Sequence, residues 1–434
     1  MSTHTRFRNE FAQPRGRRLE APRGRGPPFR HGAQALNTPP RALLLLSSLH
    51  GGGAERVAAH LVNRCDPTVV DVRIGLLRRA GPFLADADPD RVVSSEIGES
   101  LLRYEGHNSS FYRPDRLLAA LTLAPLNVRA MIRDFRPQVL MSFLKGMALL
   151  TDVVLPTLGS PRPRWILREG NNTDAVIEDE LSNPMARRIV KAVTRRAYRR
   201  ADVFLANSHE MAVGLQARLA LDPTRIRVIQ NPIDVAKVQR LSREPLPRPG
   251  ARPFIVTAGR LEYQKGHDML LRMFASSKAA RGHDLFILGR GSLEAGLKRQ
   301  AAELGIADRV FFPGFTENPW AWIKAADLFV LPSRWEGFPS IVAETLACGT
   351  AALVTACDFG PAEVVEHGVS GWVVPPEDEA AFAAAMDMLL CNDALRAKLG
   401  ASGPSRAVNF DITTMVRAYT TLLLEQAGLT ASRP

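Results

Sequence analysis

RALLLLSSLHGGGAERVAAHLVNRC (41–65) passes from an unbroken apolar run, through a cluster of three glycines, into a segment whose apolar residues recur at helical spacing. A short apolar run bounded by turn residues reads as a strand buried on both faces, and the periodicity after Gly53 reads as an amphipathic helix. The same strand, loop and helix begin again at FIVTAGRL (254–261), which leads through a Lys-Gly turn into HDMLLRMFASSKAARG (267–282). Between the two lies the Pro-rich stretch REPLPRPGARP (243–253). Apolar segments then alternate with helical ones in both halves: DVRIGLL (71–77), QVLMSFL (138–144), RWILREG (164–170) and DVFLANS (202–208), then DLFILG (284–289), RVFFPGF (309–315), DLFVLPS (327–333) and AALVTA (351–356). This alternation predicts an α/β chain with two doubly wound, mostly parallel sheets, one over 42–240 and one over 250–410. Ligands bind beyond the carboxyl ends of such strands, so two sheets facing each other would enclose a cleft.

Length and composition agree with two cores. A chain of 434 residues exceeds one ordinary core, and 46% hydrophobic with 23% charged residues is the composition of a water-exposed globular protein. The longest apolar candidate, GMALLTDVVLPTLG (146–159), is interrupted by Asp152 and Pro156, so neither a membrane span nor a secretory leader is expected. Cys65, Cys348, Cys357 and Cys391 have no metal-binding or disulfide spacing, and a reducing cytoplasm is the expected setting. Of the net charge of +12, more than half comes from residues 1–41, where nine arginines face two glutamates among many prolines and glycines. That segment is expected to be a disordered basic arm, and the remainder carries an unremarkable charge.

The loops after the strands hold the candidate binding residues. Gly52 and Gly53 stand where the first strand gives way to a helix, so backbone N–H groups there can meet an anion, although a tight turn without a ligand would also use glycine. In GRLEYQKG (259–266), Arg260 and Lys265 follow a strand between Gly259 and Gly266. Two cations at that place suit a diphosphate, each charge-assisted bond contributing roughly 1.5–3 kcal/mol. LGRGSLE (288–294) offers only G-x-G, which does not support a dinucleotide cofactor. In SRWEGFPSIVAETLACGT (333–350), Glu336 falls in a loop that also contains Gly337, Phe338 and Pro339. Pro339 suits a helix beginning near Ser340, and Glu344 falls in that helix's early turns. On this stretch alone, two ligand-binding acids and two exposed acids remain equal readings.

Taken together, GGAERV (52–57), GRLEYQKG (259–266), EGFPSIVAETLACGT (336–350) and GVSGWVVPPED (368–378) resemble glycosyltransferase family 4, the retaining GT-B enzymes that use nucleotide-sugar donors. The resemblance spans about residues 42 to 427 and implies two Rossmann-like domains, with the second holding the donor. It implies that Glu344 accepts hydrogen bonds from the donor ribose, that Glu336 contacts the transferred sugar, and that the backbone around Phe338 meets sugar hydroxyls. Arg260 and Lys265 match the family's diphosphate-binding pair, expected to act from across the cleft, while Gly52 and Gly53 match the loop near diphosphate and acceptor. No protein nucleophile, metal or resident cofactor is implied. The loop WILREGNNTD (165–174) departs from the commonest pattern, which has a histidine there, and is similar to a variant found in surface-polysaccharide and N-acetylhexosamine transferases. Glu169 is accordingly either an acceptor-side contact or a loop acid. CDFGPAEVVEHG (357–368) resembles the same subgroup, with Glu363 either a helix-start acid or a support for the diphosphate loop. The C-terminal helix DITTMVRAYTTLLLEQAG (411–428) is expected to return across the N-terminal domain.

MARRIVKAVTRRAYRRAD (185–202) carries seven Lys or Arg, with Met185, Ile189, Val193 and Ala197 at spacing four. It reads as an amphipathic basic helix, either packed on the sheet or docked on an anionic membrane surface. Nucleic acid is disfavoured because the cations lack interleaved aromatics. The expected reaction is retaining transfer of a sugar, with a UDP-sugar favoured, to a saccharide or lipid-linked saccharide acceptor of the bacterial envelope. The protein would be cytoplasmic or peripheral on the inner face of the cell membrane. A sugar-nucleotide epimerase or hydrolase on the same fold, or a non-catalytic sugar-nucleotide-binding scaffold, are the alternatives.

Overall fold

In the computed structural model, residues 38–50, 52–94, 114–246 and 252–429 are described, the first nine of the helix beginning at 114 by backbone alone. The basic arm expected over 1–41 lies outside them except for its last four residues, and Arg41 already opens the first strand.

All strand pairs are parallel. Numbered in chain order, the first sheet runs β3 (Val92–Ser94), β2 (Asp71–Leu76), β1 (Arg41–Leu46), β4 (Val139–Phe143), β5 (Arg164–Arg168), β6 (Val203–Ala206), β7 (Ile226–Val228). The second runs β10 (Val310–Gly314), β9 (Asp284–Leu288), β8 (Phe254–Ala258), β11 (Leu328–Leu331), β12 (Ala352–Thr355), β13 (Trp372–Val374). The central strands are buried throughout, Arg41 at the start of β1 excepted, because helices cover both faces, which is why they read as continuous apolar runs. The sequence reading missed β3, β7 and β13. Each is three residues long and partly exposed at or near a sheet edge, so none makes an apolar run long enough to notice.

Strand order reverses between β1 and β4 in the first sheet and between β8 and β11 in the second. These are the switch points at which adjacent loops diverge and leave a crevice. The loop after β1 holds Gly52 and Gly53, the loop after β8 holds Arg260 and Lys265, and the loop after β11 holds Glu336. Topology thus supplies the reason that widely separated motifs meet.

The helix Ile412–Gln426 starts at an Asp411 cap, whose side chain accepts from Thr413 N. Its residues Ile412, Met415, Val416, Tyr419, Leu422 and Leu423 share a core with β1 and the helix Gly53–Arg64, so the chain's end returns onto the first sheet. Fully burying an apolar side chain contributes about 1.5–3 kcal/mol, enough for six such residues to hold the helix there. The apolar segment 146–159 is a core helix, Leu144–Val154, with Met147, Ala148, Leu150 and Val154 buried. Among the described residues no helix is long and apolar enough to cross a membrane.

Candidate active site

The loops after β8 and β11 are knitted together. Gln264 donates from Nε2 to the Trp335 carbonyl at 2.9 Å, and Arg334 N donates to the Gln264 carbonyl at 2.8 Å. Gly266 makes the turn possible, with φ +66° and no room for a side chain beside the Pro332 carbonyl. Within this frame Lys265 Nζ lies 2.6 Å from Glu336 Oε1, which also accepts from Ser333 Oγ at 2.6 Å. Gly259 packs along the Lys265 stem, and Arg260 Nη2 reaches Gln264 Oε1 at 3.2 Å. The two cations expected across the cleft from the acids therefore belong to the same half as the acids. β8 and β11 are hydrogen-bonded neighbours, so their exit loops are adjacent.

The cation that does come from the other half is Arg56, on the helix Gly53–Arg64. Its Nη1 lies 2.6 Å from Glu344 Oε1, while Trp320 Nε1 donates to Glu344 Oε2 at 2.8 Å. Glu344 is 3% exposed and Glu336 5%, so neither is a stray surface acid. Ser340, at the start of the Glu344 helix, accepts from Asn231 Nδ2 at 3.0 Å and lies beside Gly53, so the starts of two helices face one another. The positive ends of these two helices, with Arg260, Lys265 and Arg56, make a place suited to a diphosphate. Glu55, in the first turn of its helix, folds its carboxyl back over Gly52. Burial holds that carboxyl above its usual range, against the pull of its own backbone amide, Arg260 and Arg168.

Phe338 points its ring into the core, edge-on to Phe410 at 5.2 Å, so its backbone alone is left for a ligand; Pro339 immediately precedes the helix Ser340–Cys348. At Gly337 the two halves also touch backbone to backbone. A Cβ there would run into the Gly170 carbonyl.

Glu169 is brought beneath this contact and not into the cleft. Its Oε1 accepts from Gly170 N at 2.8 Å and Asn171 N at 3.1 Å, its Oε2 accepts from the Tyr198 hydroxyl, and the residue is 2% exposed. Burial, then the adjacent Glu169 charge, push the Tyr198 phenol well up, so it remains a donor. Of the two readings of Glu169, the loop acid is the one the geometry favours: it shapes the loop that meets Gly337. Its neighbour Arg168 is fully buried, donating from Nε to Tyr419 OH at 2.8 Å and from Nη2 to Asn231 Oδ1 at 2.5 Å. That guanidinium joins β5, the connection between halves and the returning helix. Glu363 stands in the first turn of the helix Pro361–Val364, the helix-start reading, and its carboxylate contacts the first half.

The thiols near the site are poor nucleophiles. Burial, then Glu344, push Cys348 up to about 12, and burial, then Glu336, raise Cys357 as well. No group of three His, Cys, Asp or Glu that could hold a metal ion occurs among the described residues.

Two family descriptions match in succession: "Glycosyltransferase Family 4" over residues 51–237 and "Glycosyl transferases group 1" over 238–406. The chain belongs to glycosyltransferase family 4. As a family 4 glycosyltransferase it is 27% identical over 376 residues to the lipopolysaccharide core biosynthesis glycosyltransferase LpsE of Rhizobium meliloti, covering 86% of this chain and 96% of that one. It is also 27% identical over 255 residues to an N-acetylgalactosamine-N,N'-diacetylbacillosaminyl-diphospho-undecaprenol 4-alpha-N-acetylgalactosaminyltransferase of Campylobacter jejuni, covering 57% and 69%. In structure, the transferase superposes on Anabaena HepE in complex with UDP-glucose at a TM-score of 0.69, with 16% identity, covering 89% of this chain and 99% of that one. A sucrose-phosphate synthase from Thermosynechococcus elongatus gives 0.71 with 19% identity, covering 89% and 98%. These likenesses establish the GT-B fold that the resemblance implied.

Several site residues of this glycosyltransferase escaped the sequence reading. Arg56 and Glu55 stand inside the quoted GGAERV, but nothing local says that one reaches 288 positions along the chain. Trp320 and Asn231 carry no motif, and the one signal for Arg168 is a charged residue ending an otherwise apolar strand.

Proposed function

We propose that the protein transfers a glycosyl group, with anomeric retention, from a nucleoside diphosphate sugar to a saccharide hydroxyl in bacterial envelope polysaccharide assembly. The observation that carries this reading is the buried Lys265–Glu336 pair beside Arg260, with Glu344 in the second turn of the helix that follows and held by Arg56 and Trp320. Breaking the bond from sugar to diphosphate builds negative charge on the leaving oxygen and positive charge on the sugar. Arg260, Lys265 and the facing helix starts meet the former, and removing such a preorganised group costs roughly 3–4 kcal/mol of transition-state stabilisation. Glu336 faces the latter and orients sugar hydroxyls; Glu344 holds the ribose. The acceptor oxygen bonds to the anomeric carbon on the face the diphosphate leaves, and the acceptor's proton passes to the departing phosphate oxygen. The cations this leaving group calls for are all side chains, so no metal or resident cofactor enters the proposal.

A UDP-sugar is the favoured donor, and a lipid-linked saccharide the favoured acceptor, the latter because the Campylobacter relative is named for a diphospho-undecaprenol acceptor. The basic helix Pro184–Arg200 supports a place at an anionic membrane surface. Met185, Ile189 and Val193 are 61%, 56% and 48% exposed, while Thr194, Ala197 and Tyr198 face inward. Ala197 leaves the stripe because residues four apart drift about 40° per step around a helix. Of the cations, Lys191 pairs with Glu178, Arg195 with Asp174 and Arg200 with Asp152, whereas Arg188 and Arg196 have no ion pair among the described residues.

A thermal-shift screen of UDP, GDP, ADP and their sugars against the wild type and Glu344→Ala tests the reading, since a ligand that binds only the folded state raises Tm. Stabilisation of the wild type and not of the variant is expected. No stabilisation of the wild type by any nucleotide refutes the transferase reading. Product analysis with and without a saccharide acceptor separates transfer from hydrolysis and epimerisation.

A further inference from the structure

The segment that leaves β12 does two things at once. At its start it brackets the backbone of Glu336: Glu336 N donates to the Asp358 carbonyl at 2.6 Å, and Phe359 N donates to the Glu336 carbonyl at 3.5 Å. A few residues on, it docks on the helix His209–Leu219 of the first half. The Phe359 ring is buried in the core beneath that helix, against Gly214, with the Arg218 guanidinium 5.8 Å from the ring centroid and 3.5 Å from Asp358. Two carboxylates then cap helix starts across the junction in opposite directions. Glu363 Oε2 accepts from His209 N at 2.7 Å and Glu210 N at 3.4 Å, and its Oε1 accepts from Gln230 Nε2 at 2.6 Å. In return Glu210 Oε2 accepts from Gly360 N at 2.8 Å. Behind the segment, Arg406 Nη2 donates to the Glu363 carbonyl at 2.6 Å and fixes it to its own half.

Glu363 is not needed to start the helix it caps. Ser208 already caps His209–Leu219 by accepting from Met211 N, and His209 and Glu210 are exposed enough for water to serve their amides. The two caps are worth having for the junction itself. They tie the first half to the piece of backbone that flanks Glu336 on both sides.

We infer that Glu363 and Glu210 are positioning residues: by reciprocal capping across the junction they couple the meeting of the two halves to the placement of Glu336 at the transferred sugar. The inference rests on the reading of Glu336 as the acid at that sugar. Among the described residues Arg260, Lys265 and Glu344 make no hydrogen bond or ion pair to this segment, and of the three only Lys265 is linked to it, through Glu336, so nucleotide binding and sugar transfer are separable consequences. Loss of either cap loosens the acid, while Arg260 and Glu344, which have their own partners, stay in place for the nucleotide.

The test uses the full chain and whichever UDP-, GDP- or ADP-sugar stabilises the wild type most. Glu363→Ala and Glu210→Ala are expected to lower kcat tenfold or more, with the Kd for the matching nucleoside diphosphate and the donor KM within twofold of wild type. Glu363→Gln is expected to recover kcat to within threefold. Its amide oxygen can still accept from both backbone amides, and Gln230 can rotate its own amide to offer an oxygen to the new NH2 group. Amide hydrogen exchange at Glu336 should accelerate in the alanine variants and not in Glu363→Gln. An unchanged kcat in Glu363→Ala overturns the inference, as does a variant set in which kcat and Tm fall while KM rises and glutamine does no better than alanine. A wild type stabilised by no nucleotide overturns it too, but by removing the functional reading beneath it, a result the variants are not needed to obtain.

Discussion

Lys265 Nζ and Glu336 Oε1 lie 2.6 Å apart with both side chains largely buried, so the cation expected at the leaving diphosphate and the acid expected at the sugar hold each other. Each is the other's charge compensation. Lys265→Ala leaves a buried carboxylate unpaired, a change that destabilises by about 3–5 kcal/mol when one partner of a buried pair is removed. The expected outcome is a Tm lower by several degrees and donor turnover reduced at least a hundredfold, measured by thermal unfolding and release of nucleoside diphosphate. Lys265→Arg, which keeps the charge but not the shape of the ammonium, should recover most of the stability and little of the turnover.

Gly337 is the point at which the halves approach backbone to backbone. In Gly337→Ala the new Cβ collides with the Gly170 carbonyl, and backbone cannot yield as a flexible side chain can. Nucleoside diphosphate affinity should stay within about threefold, since Glu344 and Arg260 are untouched. kcat should fall about a hundredfold, as for a constellation misplaced by about 1 Å. Steady-state kinetics beside isothermal titration would show whether the two parameters separate.

Stability should fall between pH 6.5 and 4 by an amount traceable to His267. Burial, then the charge of Lys265, lower this histidine to about 4, so the folded protein holds it neutral. As pH drops below 6.5 the unfolded chain takes up the proton first, and the native state loses ground until both states are protonated below about 4. A shift of this size corresponds to on the order of 3 kcal/mol. His60, also lowered to about 4 mainly by burial, acts in the same direction. His267→Gln should flatten the window, read as Tm against pH. Equal slopes for variant and wild type would remove His267 from the account.

The outward apolar stripe Met185, Ile189 and Val193 predicts a surface phenotype without a folding cost. Ile189→Asp should weaken binding to vesicles containing anionic lipid at low salt by tenfold or more, while Tm changes little because exposed substitutions usually stay within about 0.5 kcal/mol. Co-sedimentation at low and high salt measures it. A wild type that ignores anionic vesicles at low salt ends the membrane reading.

Much of the architecture is legible without coordinates. Strands buried on both faces must be apolar throughout, so β1, β4, β8 and β11 announce themselves, and the repeat of strand, loop and helix at 41–65 and 254–282 marks two parallel sheets. Because ligands collect beyond the carboxyl ends of parallel strands, the loops that follow, with Gly52, Lys265 and Glu336, could be named as candidates from local spacing, and the family resemblance chose between the readings that spacing left open. Spacing also put Glu336 before Pro339 and Glu344 after it, in a loop and on a helix respectively.

What each of these groups touches was decided only by tertiary structure. Arg56 meets Glu344, Arg168 meets Tyr419, and Glu363 caps His209, across 288, 251 and 154 positions of chain. Glu169 sits in the loop the sequence picks out, yet its oxygens turn to Tyr198 and its own backbone, and Lys265 joins the acids from beside them and not from across the cleft. The physical reason is one of range. Hydrophobic period and turn chemistry act over a few residues and specify which face an element buries. The direction in which a loop side chain points depends on which backbone amides, hydroxyls and charges the two docked halves bring within hydrogen-bond distance.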